Sequence, residues 1–193
     1  PATVEHQVPV VGYESNRKYT KIISEGKPVE IGALLGVAAD ENTHVMMTDG
    51  ISGQRIVDWS VDRGGWRGFR AGTGNGSYEL TVSELAGETY GYIYLSCLHQ
   101  PSIGVYLPSQ IDVYLGDSQT PITTAYPRQD YHVDREGNVF VGINLKGVQC
   151  SDKLRIRVTQ NAEWTMVSEI SVYGAKQTGF TNADATNLAK GKP

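Results

Sequence analysis

The chain has 193 residues and a formal net charge of −4, from 17 Lys and Arg against 21 Asp and Glu. Its cations are scattered singly, so nothing draws it to nucleic acid or an anionic membrane surface. No apolar run approaches the roughly 18 residues that span a bilayer. The length suits one domain with a sizeable core rather than two. No basic segment followed by an apolar one opens the sequence at Pro1, so any signal peptide is expected upstream.

The composition favours pleated sheet, with 11 Tyr and 22 Gly against 3 Phe and abundant Val, Ile and Thr. In chain order, Lys18–Ser24 reads as a strand through Tyr19, Ile22 and Ile23. Gly32–Ala39 is the one stretch with room for a helix, and its glycines keep that helix short. His44–Met47 reads as a strand entering the turn Thr48-Asp49-Gly50. The glycine-rich run Arg70–Gly76 precedes a strand, offers no helix N-terminus to an anion and reads as a hairpin-type loop. Ser77–Val82 alternates with period two, and Tyr90–Leu98 is aromatic and β-branched enough to be central. Gln110–Leu115 places Ile111, Val113 and Leu115 on one face and Asp112 and Tyr114 on the other. Asn138–Leu145 follows a Glu136-Gly137 turn. Lys153–Thr159 sets Leu154, Ile156 and Val158 against Arg155 and Arg157, and Glu169–Tyr173 closes the set. About eight strands at loop-separated intervals predict an all-β, antiparallel β-sandwich of jelly-roll type. The module is expected over residues 1–176, with an aperiodic linker over 177–186 and a separate segment over 187–193. Cys97 and Cys150 read as buried thiols, with a disulfide in an oxidising compartment as the alternative.

Signatures of catalysis do not appear. The sequence holds no Gly-x-Ser-x-Gly, no His-Glu-x-x-His and no phosphate-cradling loop before a helix. His6, His44, His99 and His132 share no metal-ligand spacing. A binding module is therefore expected rather than an enzyme. Two segments could serve a hard cation, which takes six to eight oxygens: Met47–Gly53 with Asp49, and Ser168–Gly174 with Glu169. By spacing alone, an Asp-Gly turn and a strand-edge Glu are ordinary.

The order of several motifs is more specific. The Thr48-Asp49-Gly50 turn is followed by Trp59, by Trp66-Arg67-Gly68-Phe69, by Gly104–Tyr114, and by Ser168-Glu169-Ile170-x-Val172-Tyr173-Gly174. This order resembles the galactose-binding-like jelly rolls, which include discoidin or coagulation-factor C-type domains and the family-32 carbohydrate-binding modules of bacterial glycosidases. The resemblance covers about Tyr13 to Gly174, and Asn187–Pro193 resembles the opening of a further module of the same kind. It implies a structural calcium at Asp49 and Glu169, with carbonyls around Met47 and Ser52 as partners. It also implies a shallow ligand site on apical loops, in a secreted, multimodular, monomeric protein attached to a glycoside-active enzyme. Ile51 and Ile56 stand where the family often has a second acid and a Thr. The usual galactose set of His, Arg and Asn does not map, so the sugar is not carried over.

Sugar rings stack their C–H faces on aromatics while polar groups take the hydroxyls, and binding residues concentrate in connections. The candidates are Trp66 and Arg67 after a glycine loop, His99 and Gln100 at the end of the central strand with Tyr106 close behind, Tyr131 and His132, and Trp164 before the last strand. The loops carrying Trp66 and Arg67, His99 and Gln100, and Tyr131 and His132 are expected to converge at one end, with Trp164 the first alternative if binding lies elsewhere, whereas Trp59 and Phe69 are expected in the core. The rival readings are a discoidin-type adhesion module, with Pro101–Tyr106 as an apolar spike, and a spacer with no ligand.

Overall fold

The structure, a computed structural model, describes residues 4–6, 21–39, 45–58, 63–72, 75–85, 88–127, 136–149, 151–160 and 163–176. Its strands are β1 (Val4–His6), β2 (Lys21–Ile22), β3 (Val29–Leu35), β4 (Val37–Ala39), β5 (Arg67–Ala71), β6 (Gly76–Val82), β7 (Glu88–His99), β8 (Gln110–Leu115), β9 (Thr123–Ala125), β10 (Gly137–Gln149), β11 (Leu154–Gln160) and β12 (Trp164–Lys176). Single 3₁₀ turns lie at Arg63–Gly65 and Pro101–Ile103. One sheet runs β1-β10-β7-β12-β5-β4, with β2 also on β12, and the other runs β3-β6-β11-β8-β9. The pairs are antiparallel except β1 on β10. Among the described residues no helix is long and apolar enough to cross a membrane.

Alternation builds the sandwich. Along β6 and β11 every second residue is buried, which turns Tyr78, Leu80, Val82, Leu154, Ile156 and Val158 into the space between the sheets. The facing side comes from Ile93, Leu95 and Cys97 of β7, Val139, Val141 and Ile143 of β10, and Val167, Ile170 and Val172 of β12. Each such side chain stabilises the fold by about 1.5–3 kcal/mol on burial. On the outer side of the five-stranded sheet, Arg155 and Arg157 lie 5.0 and 4.9 Å from the Tyr114 ring and pair with Glu79. Phe69 of β5 stacks on Tyr78 of β6 at 3.7 Å and 5°, joining the two sheets. The Tyr78 hydroxyl bonds Thr165 Oγ1 of β12 at 2.9 Å, and burial pushes that phenol up. Cys97 is a free, buried thiol, which burial also pushes up.

Three readings of the sequence need correction. Gly32–Ala39 is strand: Ile31 pairs with Leu80 and Ala33 with Tyr78, and Gly36, at φ +58°, turns the chain from β3 into β4. The pleated partner outweighs local propensity there. Residues 45–47 form a loop rather than a strand, because their bonds go to other elements. Ile170 N donates to Met47 O at 2.6 Å, Gly26 N to Thr48 O at 2.8 Å, and Thr48 Oγ1 to Lys27 O at 2.7 Å. The last strand begins at Trp164 rather than Glu169. Most of Lys18–Ser24 outside β2, and His44, Trp59, Tyr131, His132, Cys150 and residues 177–193, lie outside the described residues.

Candidate functional site

Four loops meet at one end of the sandwich. The long strand β7 ends at His99, opposite Gly137, so Glu136 stands beside that end. The next residues fold back: Gln100 N donates to Val105 O at 2.9 Å and Val105 N to Gln100 O at 3.2 Å around the 3₁₀ turn. Gly104 closes this turn at φ +78°, a conformation that favours glycine. Tyr106 N then donates to Trp164 O at 3.1 Å, fixing the start of β12 there. The 51–58 loop joins through Gln100, whose Oε1 accepts from Ile56 N at 2.9 Å while its Nε2 donates to Ile56 O at 2.7 Å.

Beneath this end lies a small apolar cluster of Ile56, Trp66, Leu98, Val105 and Met166, with half-buried Ile103 and Trp164 against it. Above it sits a charged rim. Glu136 accepts from Ser102 N at 2.8 Å and from Arg55 Nη2 at 3.1 Å. Burial alone would raise the Glu136 carboxyl, but the Ser102 bonds and the Arg55 charge outweigh it and hold the group below the usual range. Burial lowers His99 against the opposing pull of Glu136, leaving a neutral imidazole at pH 7. The Tyr106 ring meets His99 edge-on at 6.4 Å and is itself 36% exposed. A second pair follows along the rim. Arg70 Nε donates to Glu163 Oε1 at 2.8 Å, and its guanidinium lies 5.8 Å from the Trp164 ring. Anchored planar cations beside aromatic rings can hold a hydroxyl-rich ring by bidentate bonds and stacking.

His99, Gln100, Tyr106 and Trp164 come together at this end, though not in the roles read from sequence. Gln100 is only 2% exposed, and its carboxamide is spent on the Ile56 backbone. His99 is equally buried, so Tyr106 rather than the imidazole reaches the rim. Trp164 opens a strand instead of sitting in a loop. Trp66 is no surface platform: it is 1% exposed, its Nε1 donates to Gln54 O at 2.7 Å, and its ring lies on Gly53. Arg67 points elsewhere, into a lateral cleft of about 580 Å³ with Lys27, Met46 and Glu84. Within Pro101–Tyr106, Val105 is buried and Ile103 packs on the apolar cluster, while among the described residues the large hydrophobic side chains most exposed to solvent are Val57, Tyr126, Ile51 and Met46. Arg55 and Glu136 were not anticipated. They lie far apart in sequence, and no local pattern marks either.

The two expected metal positions are neighbours. Asp49 Oδ1 accepts from Ile51 N at 2.9 Å in a turn that Gly50 makes at φ +79°. Glu169 is 3% exposed and takes the backbone N–H groups of Gly50 and Asp49. Its Oε2 has no hydrogen-bond partner among the described residues. Burial first, then the charges of Asp49 and Glu25, push its carboxyl up to about 7 despite those N–H bonds. The Met47 carbonyl is occupied by Ile170 N, and Ser52 is half-buried. Among the described residues no three His, Cys, Asp or Glu side chains cluster as a metal site.

No protein-family model matches the chain, and no curated protein matches it. Solved structures do. The structure of SpGH29 superposes with a TM-score of 0.51 at 12% identity, over 84% of this chain and 30% of that one. A Streptococcus pneumoniae fucose binding module, SpX-3, superposes with a TM-score of 0.50 at 15% identity, over 79% of this chain and 97% of that one. The chain therefore spans under a third of the first and nearly all of the second. At such identities the likeness is one of fold alone, the antiparallel β-sandwich that the strand pattern predicted.

Proposed function

We propose that this chain is a non-catalytic carbohydrate-binding module of a secreted, multimodular protein, and that glycan sits on the rim formed by Arg55, Ser102, Tyr106 and Glu136, beside Trp164. The observation that carries this reading is the Arg55–Glu136 pair, anchored by a backbone N–H and set next to an exposed aromatic ring. The near full-length fold likeness to SpX-3, a fucose binding module, supports a sugar as the ligand class. The site is shallow and competes with water for every hydroxyl, so affinity is on the order of 10 μM to 1 mM. Calorimetric titration with L-fucose, galactose, glucose, mannose and N-acetylglucosamine tests it. Arg55→Ala should weaken binding by about tenfold or more, still within reach of the titration, and Tyr106→Ala should abolish the heat of binding, each with little change in melting, because both side chains are solvent-facing. Binding that survives both substitutions moves the site elsewhere, and silence across the whole panel defeats the reading.

The same reading includes a structural calcium held by Asp49 and Glu169. The fit rests on Glu169: a buried carboxylate with one unpartnered oxygen, beside another carboxylate, is a donor set that a hard dication satisfies. The ion would supply charge neutralisation at this turn, tying the loop at Asp49 to β12. Residues 187–193 are read as the first residues of a following module, joined through the linker at 177–186.

A further inference from the structure

Gln100 bonds both backbone groups of a single residue. Its carboxamide accepts from Ile56 N and donates to Ile56 O, doing for that residue what a neighbouring strand would do. Ile56 in turn alternates with its neighbours. Its side chain is 2% exposed in the apolar cluster, whereas Val57 is 85% exposed and the Arg55 side chain 59% exposed. Fixing Ile56 from both sides therefore fixes which side chains the loop presents. Arg55 then meets Glu136, whose place is set separately by Ser102 N.

We propose that Gln100 is a positioning residue of the glycan site: by clamping Ile56 it aims Arg55 at the rim and holds that cation against Glu136. The ligand in this statement rests on the reading above, whereas the clamp itself does not. At neutral pH a carboxamide of this length offers both a donor and an acceptor in one plane, which an ionised carboxylate does not. Methionine fills the space and offers neither. Ionised glutamate keeps the acceptor, loses the donor and sets an anion against the Ile56 carbonyl.

The variants are Gln100→Met, Gln100→Glu, Arg55→Ala and the double variant Arg55→Ala/Gln100→Met, each compared with wild type. In the sugar-free protein, the Glu136 carboxyl is titrated by carbon NMR. Gln100→Met should raise it toward an ordinary glutamate, as Arg55→Ala does, and the double variant should raise it no further than Arg55→Ala alone. With the five monosaccharides above, Gln100→Met should bind about tenfold more weakly and add nothing to the loss caused by Arg55→Ala, the non-additivity of residues that act in series. A merely structural Gln100 would weaken the protein independently of Arg55. Gln100→Glu supplies the second arm should the methionine variant fold poorly. It should bind weakly at neutral pH and recover in acid, as its carboxyl regains a proton to donate to Ile56 O. Additive losses, or a Glu136 titration unmoved in Gln100→Met, overturn the proposal. If no monosaccharide binds wild type while the Glu136 titrations still move together, the clamp stands and the glycan reading falls. Sugar binding lost in Arg55→Ala but intact in Gln100→Met sinks the clamp alone.

Discussion

Replacing Gly53 by alanine tests how tightly the rim loop is seated on its base. A Cβ at this position would lie 2.4 Å from Cε2 of Trp66 and 2.7 Å from both Cδ2 and Cζ2, where carbon atoms prefer about 3.5–4.0 Å. The backbone of Gly53 is not left-handed, so the contact supplies the whole effect. Trp66 has little room to retreat, since Ile56, Leu98, Val105 and Met166 pack with it and its Nε1 is bonded to Gln54 O. Relief comes from displacing the loop, which strains or breaks that bond. Overpacking costs about 1–3 kcal/mol and a lost hydrogen bond about 1 kcal/mol. The expected destabilisation is thus about 2–4 kcal/mol. For a domain of this size, that lowers the melting temperature by about 5–15 °C. Urea unfolding of wild type, Gly53→Ala, Trp66→Leu and the double variant reads the coupling, since a smaller side chain at 66 should absorb part of the alanine's cost. A Gly53→Ala protein that melts with wild type, or strictly additive effects, would refute a tryptophan ring seated on Gly53.

Other consequences follow from single groups. Burial pushes the Glu169 carboxyl up to about 7 in the fold from the ordinary 4.5, so without metal the folded state holds its proton more tightly than the unfolded chain. In chelator, stability should be full below pH 4.5 and fall by up to about 3 kcal/mol as pH rises through 7. Glu169→Gln should flatten that slope, and millimolar Ca²⁺ should raise wild-type melting at pH 8 but not that of the variant. Superimposable melting curves in calcium and chelator would remove the ion. Gly174→Ala puts a Cβ 2.6 Å from Thr89 O and 2.7 Å from Ile23 Cδ1; a backbone carbonyl yields little, so a loss of about 2 kcal/mol is expected in denaturant unfolding. Tyr78→Phe removes the bond to Thr165 and should cost about 1 kcal/mol, and an unchanged midpoint would show that bond to be idle. Cys97 should resist a thiol reagent until the protein unfolds, because burial both covers the sulfur and disfavours the thiolate. Labelling of native protein as fast as of unfolded chain would contradict its placement.

Strands whose two faces meet different surroundings were legible in the sequence. Gln110–Leu115 was read residue for residue, and β6 and β11 within a residue at either end, because apolar and polar side chains alternate along them, while β7 was read within two residues from its aromatic and β-branched content. β3 and β4 were missed because glycines break the alternation there, and only the partner β6 makes that segment a strand. Asp49 and Glu169 could be named together because they sit in motifs of recognisable order, and the fold does bring them side by side. The rim could not be assigned in the same way, because a sequence shows residue type and not direction. Trp66 and Gln100 have the chemistry of sugar contacts, but one faces the apolar cluster and the other faces a backbone. Arg55 and Glu136 acquire their role only when the end of β7 and the 51–58 loop are brought side by side.

The strand order also dictates when the molecule can exist. Of the described strands the two latest in sequence, β11 and β12, both lie in sheet interiors: β11 fills the gap between β6 and β8, and β12 the gap between β7 and β5. On a ribosome, the five-stranded sheet cannot close before residue 154 has emerged, nor the other before residue 164. Pairing Arg70 with Trp164 joins positions about ninety residues apart, and such non-local closure folds in milliseconds to seconds rather than microseconds. A nascent chain stalled before Leu154 leaves five strands, β2, β5, β6, β7 and β8, without a partner they have in the finished sheets, the state most open to intermolecular pairing. Chaperone demand and inclusion-body formation should therefore track the delay in delivering these final two strands more closely than the stability of the finished sandwich.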